Sequence, residues 1–455
     1  MCIRDRSTIR ELEPKEVWNR FADINAVPRP SKKEQKITAF MVAFGQKLGL
    51  ETSSDTIGNV IIRKPATPGY ENKKTIILQS HLDMVCQKNN DTVFDFDNQG
   101  IETYIDGDWV RAKGTTLGAD NGMGVAAIMA ILESKTIAHP AIEALFTIDE
   151  ETGMTGAKKL SSDALTGEIL LNLDTELDTE IEIGCAGGID VSAYSDYKEE
   201  ATPQDVVAYQ LTVTGLLGGH SGMEIHIGRG NANKIMNRML FQQYEKYGLR
   251  LSQLHGGGLR NAIPRESVAI VVVPAQHKGA FEKEFTENAS HIFKELQPVE
   301  AHLSITFKEV ERPEKVMEAK AQQAFVRAIA AAPCGVYVMS RNVEGLVETS
   351  NNIANVKAEN GKITILSMTR SSVESSKQDL ANSLAGAFEL AGYKVEFSGQ
   401  YPGWEPNPNS PILHVLTEVY ERLFQEKPNV AAIHAGLECG LLGEHFPHID
   451  MISFG

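Results

Sequence analysis

Apolar positions in the first fifty residues recur at helical spacing. They predict a short amphipathic helix over 14–25, with proline at its start. Ser31 followed by Glu34 has the form of a capping box, and predicts a second helix that runs to about 48 and stops at Gly49. The period then changes. Short apolar runs at 59–63 and 75–79 (TIILQ) read as strands, 122–133 (GMGVAAIMAILE) as a helix rich in alanine and methionine, and 142–148 and 168–173 as strands. Strand, helix and strand at this spacing predict an α/β layer with a mostly parallel sheet.

The character shifts after GCAGG (184–188). Strands are predicted at 210–214 and 267–273 with a helix at 231–247 between them, further helices at 281–296 and 313–331, and a strand at 363–368. A proline-rich irregular stretch, YPGWEPNPN, fills 401–409, and a helix follows over 411–424. No fixed-period repeat and no long low-complexity linker is visible. The second unit therefore reads as an insertion between two parts of the first.

Composition narrows the partners. With 42% apolar and 23% charged residues, the 455-residue chain is neither disordered nor collagen-like. Lys and Arg number 44 against 60 Asp and Glu, a formal charge of −16. Such a surface repels phosphate backbones and anionic lipid, so neither nucleic acid nor a membrane is expected as a partner. The most apolar strand-like stretch, 268–274, is far short of the ~18 residues needed to span a bilayer. The opening MCIRDRSTIRELEP lacks the apolar core of a signal peptide. Cys2, Cys86, Cys185, Cys334 and Cys439 are dispersed, with no CxxC pair, which suits a reducing cytoplasm.

Candidate chemistry gathers where strands end. TIILQS (75–80) runs into His81 and Asp83, ALFTI (144–148) into Asp149, Glu150 and Glu151, and ILLNL (169–173) into Asp174. Asp120 stands in GTTLGADNG, just ahead of the Ala/Met helix. Ligands of open α/β sheets gather outside the carboxyl ends of strands, so these residues are placed to converge. One imidazole with several carboxylates suits divalent zinc, cobalt or manganese. Asp83, two residues after His81 in an extended chain, is placed to accept the second ring N–H. Of Glu150 and Glu151, one can bind metal while the other stays a free base. Taken singly, each has a plainer reading: Asp120 as a helix N-cap, the glutamate pair as a solvated loop, Asp174 as a turn residue. The combination favours a metal site.

The segments SHLDMVCQKNNDT (80–92), RAKGTTLGADNGMG (111–124), EETGMTGA (150–157), LNLDTE (171–176), GCAGGID (184–190), GGHSGMEIHIGRGNANK (218–234), LRNAIPRE (259–266), VETSNNIA (347–354), YPGWEPNPNSPI (401–412) and HAGLECGLL (434–442) together resemble the di-zinc exopeptidases that include carboxypeptidase G, aminoacylase and carnosinase. Within that family they are most similar to the branch that cleaves Xaa-His dipeptides. The resemblance implies a di-metal α/β catalytic domain over 7–187 and 396–455, interrupted by an α+β lid and dimerisation domain over 188–395. It implies a cytoplasmic homodimer acting on unblocked dipeptides with two divalent ions, zinc first and cobalt or manganese as alternatives. His81 and Asp174 would hold one ion, Glu151 the other, and Asp120 would bridge them, with the Asp120–Asn121 peptide cis. Glu150 would be the general base, Asp83 the partner of His81, and His220 the donor to the oxyanion. Asn261 and Arg370 would hold the substrate carboxylate. Gly436 and Glu438 would line a substrate loop, Glu438 gripping the free α-amino group. His226 and Cys439 read as local structure, and His434 as either a neighbour of the substrate loop or a packed histidine.

Two departures from the family pattern stand out. MCIRDR does not match the family's start and is left out of the reading. The family continues beyond the position of Gly455 with a histidine that ligates the metal shared by Asp120 and Glu151, and then a final helix; this chain is therefore expected to be a fragment that binds one metal well and the second poorly. Alternative activities are an N-acyl amino acid deacylase, a tripeptide aminopeptidase, or an inactive binding and dimerisation module.

Overall fold

Two apolar runs, Ile76–His81 and Ile142–Thr147, form neighbouring parallel strands with nearly every residue buried. A computed structural model describes residues 9–89 and 91–455; Cys2 and the expected domain start at 7 lie outside them. The two strands sit inside an eight-stranded sheet, in the order Glu51–Ser54, Val60–Lys64, Ile142–Thr147, Ile76–His81, Ile169–Asn172, Asp450–Ser453, Glu180–Cys185, Asn429–Ile433. Its four central strands run parallel, and antiparallel strands flank them. Parallel strands are covered on both faces, which is why their sequences are continuous apolar runs rather than alternating ones. Helix Ala119–Glu133 packs on Ile76–His81, and helix Lys15–Asn25 packs on Ala119–Glu133.

The chain divides into two compact units. The first comprises residues up to Gly184 with Pro406–Ala432 and Leu437–Gly455; the second comprises Cys185–Glu405 and Ile433–Gly436. The second unit thus runs past the expected end at 395. The reason is strand Lys394–Tyr401, which pairs with Gly187–Asp196.

The second unit is built on an antiparallel sheet with a duplicated topology. Its first half runs Val206–Thr214, helix Ala232–Tyr247, Arg250–Gly257, Ser267–Pro274, helix Lys278–Leu296, Ser304–Glu309. Its second half runs Gly187–Asp196, helix Ala319–Ala331, Val347–Glu359, Lys362–Ser371, helix Glu374–Leu390, Lys394–Tyr401. In each half the spatial strand order is fourth, first, third, second. The halves join where the two second strands pair, Leu254 opposite Ala358. The first half is inserted after the first strand of the second, so the duplication leaves no linear repeat.

Two predicted elements differ. Ser31 and Glu34 form no capping box: helix Gln35–Lys47 starts without a side-chain cap, the Ser31 hydroxyl donates to Asp83 Oδ2, and Glu34 accepts from the Lys32 and Asp149 amides. The helix predicted at 313–331 is a strand, Lys315–Met317, followed by helix Ala319–Ala331. That strand pairs with Glu199–Ala201, a contact outside any local period.

The strand bearing the site glutamates is anchored at its far end by Glu143. Its buried carboxylate accepts from the Thr166 and Gly167 amides at 2.8 and 2.9 Å and from Arg63 Nε at 3.1 Å. Burial pushes this carboxyl up, but those donors outweigh it and hold it below the usual glutamate range. A lowered folded-state pKa gives stability that is present above the unfolded value and lost as pH falls through the folded one. Glu143→Gln is expected to cost about 2 kcal/mol in urea unfolding at neutral pH, with the difference shrinking toward pH 3.

Candidate active site

His81 closes the strand Ile76–His81, and Asp174 follows the adjacent strand Ile169–Asn172. Asp120 reaches them from the start of helix Ala119–Glu133. Gly124 permits this approach: a Cβ there would lie 2.5 Å from the Leu173 carbonyl oxygen and 2.6 Å from Ser80 Oγ. Asp120 and Asn121 leave helical dihedrals and are joined by a cis peptide. Asp120 does not cap the helix. Its Oδ1 lies 3.0 Å from His81 Nε2, and Asp174 Oδ1 lies 3.4 Å from the same nitrogen. The Asn121 amide donates to Asp174. Ligand atoms of His81, Asp120 and Glu151 all fall within 4.8 Å of one another.

Behind this group Asp83 ties the loops together. One carboxylate oxygen is 3.3 Å from His81 Nδ1 and accepts from the Glu150 amide at 3.0 Å; the other accepts from Ser31 Oγ at 2.7 Å and the Glu151 amide at 3.2 Å. Arg29 is buried and donates to the carbonyls of Leu82, Asp83 and Gly118, fastening the His81 loop to the Asp120 loop. Sequence reasoning missed Arg29, which sits in a proline-flanked segment (VPRPS) with no period to mark it. A second acidic group, Glu34, Asp83 and Asp149, is saturated by amide and hydroxyl donors and serves as scaffold.

The electrostatics follow from crowding. Burial pushes the Glu150 carboxyl well above its usual range, with Asp174, Glu438 and Glu151 adding to the rise and His81 opposing it. Glu151 is pushed up to about 7 by burial, Asp120 and Asp83. Burial pulls His81 down, but Asp174, Asp120 and Asp83 carry it well above the ordinary imidazole value. Glu150, Glu151 and Asp174 are held away from their charged forms while the imidazole is drawn toward its own, and such a surplus of acids around one imidazole fits a divalent cation.

Glu438 lies under this site, not on its surface. It is fully buried, one oxygen accepting from Thr147 Oγ1 at 2.5 Å and Gln79 Nε2 at 2.7 Å, and the other without a hydrogen-bond partner. Burial pushes it up to about 7. An enclosed carboxyl already engaged by two donors is not placed to grip an α-amino group, so that expectation is replaced by a role in raising Glu150.

The remaining candidates belong to the second unit. His220 Nδ1 accepts from the Gly222 and Met223 amides at 3.2 and 3.0 Å, so the ring proton sits on Nε2, which is left as a donor. Burial and the Arg370 charge lower its pKa and keep the ring neutral. His220 bridges to Ala262, and the Ser221 amide donates to the Asn261 carbonyl at 2.7 Å, so His220 and the exposed Asn261 share one loop pair. Asn352 Nδ2 holds that pair by donating to the carbonyls on either side, Arg260 and Ala262. Arg370 is 3% exposed; its Nη1 donates to Tyr401 OH, its Nε has no partner, and among the described residues no carboxylate pairs with it. His434, beside Arg370, is pushed down to about 3 by burial and is bonded to Ser350, a packed neutral ring. Gly436 follows Ala435, whose carbonyl takes the Ala186 amide.

Parallel strand ends that gather an imidazole and carboxylates beside a buried glutamate define a metal-dependent hydrolase. Residues 77–455 match Peptidase family M20/M25/M40, and the chain belongs to that family: it is a hydrolase of peptide bonds. It is 43% identical over 450 residues to the cytosol non-specific dipeptidase of Escherichia coli K12, covering 99% of this chain and 93% of that one. It superposes on the aminoacylhistidine dipeptidase from Vibrio alginolyticus with a TM-score of 0.91 at 46% identity, over 98% of this chain and 91% of that one. The aminopeptidase PepT from Bacillus cereus shares the fold, with a TM-score of 0.54 at 16% identity over 97% and 90% of the two chains.

Arg29→Leu should strand three buried carbonyls and remove the cation that joins the two loops. The expected cost is about 3 kcal/mol by chemical denaturation, with at least tenfold weaker metal binding in calorimetric titration.

Proposed function

We propose that this protein hydrolyses unblocked dipeptides, Xaa-His among them, with Glu150 as general base. The observation that carries the reading is the crowding of Asp120, Glu151 and Asp174 around His81 with Glu150 beside them, its carboxyl raised by burial. The names of two relatives above 40% identity, a dipeptidase and an aminoacylhistidine dipeptidase, support the substrate class.

We assign His81 and Asp174 to one divalent ion, Glu151 to the other and Asp120 to both, with zinc first and cobalt or manganese as alternatives. Bound there, the ions supply Lewis acidity toward a peptide carbonyl and make water more acidic. Glu150 takes a proton from the attacking water and returns it to the leaving nitrogen; a raised carboxyl is the better proton carrier near neutral pH. Asp83 fixes the His81 ring from behind. His220 offers its Nε2–H to the oxygen that gains charge as the carbonyl carbon turns tetrahedral, and a neutral donor of this kind is typically worth on the order of 10²–10³ in rate. Arg370, Asn261 and Gly436 take the C-terminal carboxylate. A buried guanidinium without an acidic partner is costly, and an incoming carboxylate relieves that cost.

The reading includes a cytoplasmic homodimer joined through the second unit. Supporting it are the word cytosol in a relative's name and the half-exposed Val336, Tyr337 and Met339 on the edge strand Gly335–Met339. No described helix is long and apolar enough to cross a membrane.

The test is hydrolysis of Gly-His, β-Ala-His and N-acetyl-His by chelator-stripped protein reloaded with zinc, cobalt or manganese. Metal-dependent cleavage of the two unblocked dipeptides is expected, with Glu150→Ala reducing kcat by 10³-fold or more, roughly the share of a base and its positioned water. Cleavage of N-acetyl-His alone would make the protein a deacylase.

A further inference from the structure

Arg370 and Tyr401 reach each other across a strand that offers no side chain at the crossing point. Arg370 stands on Lys362–Ser371 directly opposite Gly188, and Tyr401 ends Lys394–Tyr401 directly opposite the same Gly188. Residues opposite one another in adjacent strands face the same side, so arginine, glycine and tyrosine form a row across three strands. The outer two backbones of such a row are roughly 10 Å apart. The side chains nevertheless meet, with Arg370 Nη1 donating to Tyr401 OH at 2.9 Å. Gly188 makes this possible: a Cβ there would lie 2.6–2.7 Å from the Tyr401 ring and hydroxyl.

Several features hold Tyr401 in place. A register shift between Ser398 and Tyr401 sets it opposite Gly188. Its carbonyl accepts from Lys377 Nζ at 2.6 Å, and that lysine is itself fully buried. Just beyond it, Trp404 and Cys185 exchange two backbone hydrogen bonds of 2.9 Å. A Cβ at Gly187 would strike Pro402 and Gly403, so both glycines of the GCAGG segment serve the closure of YPGW onto this strand. A filler aromatic would not need its hydroxyl on a buried guanidinium.

The geometry points to Tyr401 as a second carboxylate-binding residue: its hydroxyl accepts from Arg370 and so turns its own proton toward the substrate carboxylate that Arg370 receives. This rests on the reading of Arg370 given above. Among the described residues, no acceptor takes the Tyr401 proton. A phenol and a guanidinium together present donors from two directions, which suits a free C-terminal carboxylate and not a C-terminal amide, whose NH2 would face them. Gly188 is then a specificity position, because any side chain there separates the pair.

The test compares Tyr401→Phe, Gly188→Ala and Arg370→Met with the unmodified metal-loaded enzyme. The readouts are KM and kcat for Gly-His and the inhibition constant of Gly-His amide as a competitor. Tyr401→Phe keeps the ring on Gly188 and is expected to leave the melting temperature unchanged. It should raise KM for Gly-His about tenfold with kcat within about twofold, and leave binding of the amide unchanged. Gly188→Ala should act in the same direction. The proposal is overturned if Tyr401→Phe weakens both ligands equally or neither, while Arg370→Met still abolishes the preference for the carboxylate. If Arg370→Met also leaves that preference intact, the carboxylate reading of Arg370 itself has failed, and this proposal with it.

Discussion

The carboxylates of Asp83, Asp120, Glu150, Glu151 and Asp174 surround the His81 imidazole in the first unit, and the buried Arg29 guanidinium lies in the field of Asp83, Asp120 and Glu151. Two like charges 4 Å apart repel by about 4 kcal/mol at an effective dielectric near 20. A sequence that gathers several of them must answer that repulsion. Asp83 is answered by two amides and a hydroxyl, so it can stay charged and hold His81. Asp174 has the Asn121 amide. Glu150 and Glu151 have no comparable set and are pushed toward their protonated forms. The order suits the proposed chemistry: Asp83, which faces His81, is stabilised as an anion, and Glu150, the proposed proton carrier, is not.

The second unit shows the opposite imbalance. Arg370 is buried with a phenol as its hydrogen-bond partner; Asp190 feels its charge, but among the described residues no carboxylate is in ion-pair contact with it. Burial, with the Arg370 field added, keeps His220 and His434 neutral. Neutrality matters most at His220, where two amides already occupy Nδ1 and the remaining N–H is a donor that carries no charge to be desolvated. Each of these two clusters thus holds an excess of one sign. On the proposed reading, a cation for the first and a carboxylate for the second are the partners these residues are preorganised to accept, with little rearrangement to oppose binding.

What the sequence made legible was what is local. Parallel strands that are apolar throughout and stop at an imidazole or an acid are marked residue by residue, so the positions of His81, Glu151 and Asp174 at strand ends could be read in advance, as could Asp120 ahead of its helix. The features that failed are those decided by distant contacts. Ser31 and Glu34 match a helix start, yet each has a stronger claim on it, from Asp83 and from the Asp149 and Lys32 amides. Glu438 sits in a motif with substrate-loop character, and only the packing of Gln79 and Thr147 shows it enclosed. Arg29 and Tyr401 carry no periodic signal, because their partners are carbonyls and a glycine far along the chain. Gly188 was readable only as part of a glycine-rich segment; that it opens a path for Tyr401 depends on the register of three strands.

That register has its own logic. Each half of the second unit, taken alone, would leave its second strand open at the edge, in the second half beyond the stretch paired by Gly335–Met339, a surface prone to wrong pairing. Pairing Arg250–Gly257 with Val347–Glu359 removes both edges and makes one sheet. The join also sets the residues proposed for recognition. His220 and Asn261 come from loops of the first half, Arg370 and Tyr401 from strands of the second, and Asn352, on the joining strand, clamps the loop that carries Asn261. A slip of one residue at the join would turn every side chain of one half to the other face. Asn352 would then leave Arg260 and Ala262, and the neutral donor on His220 would lose its fixed relation to the buried charge on Arg370. On the proposed reading the seam is therefore constrained by recognition as much as by stability, and substitutions at Leu254 or Ala358 that shift pairing should be felt first by the residues around Arg370.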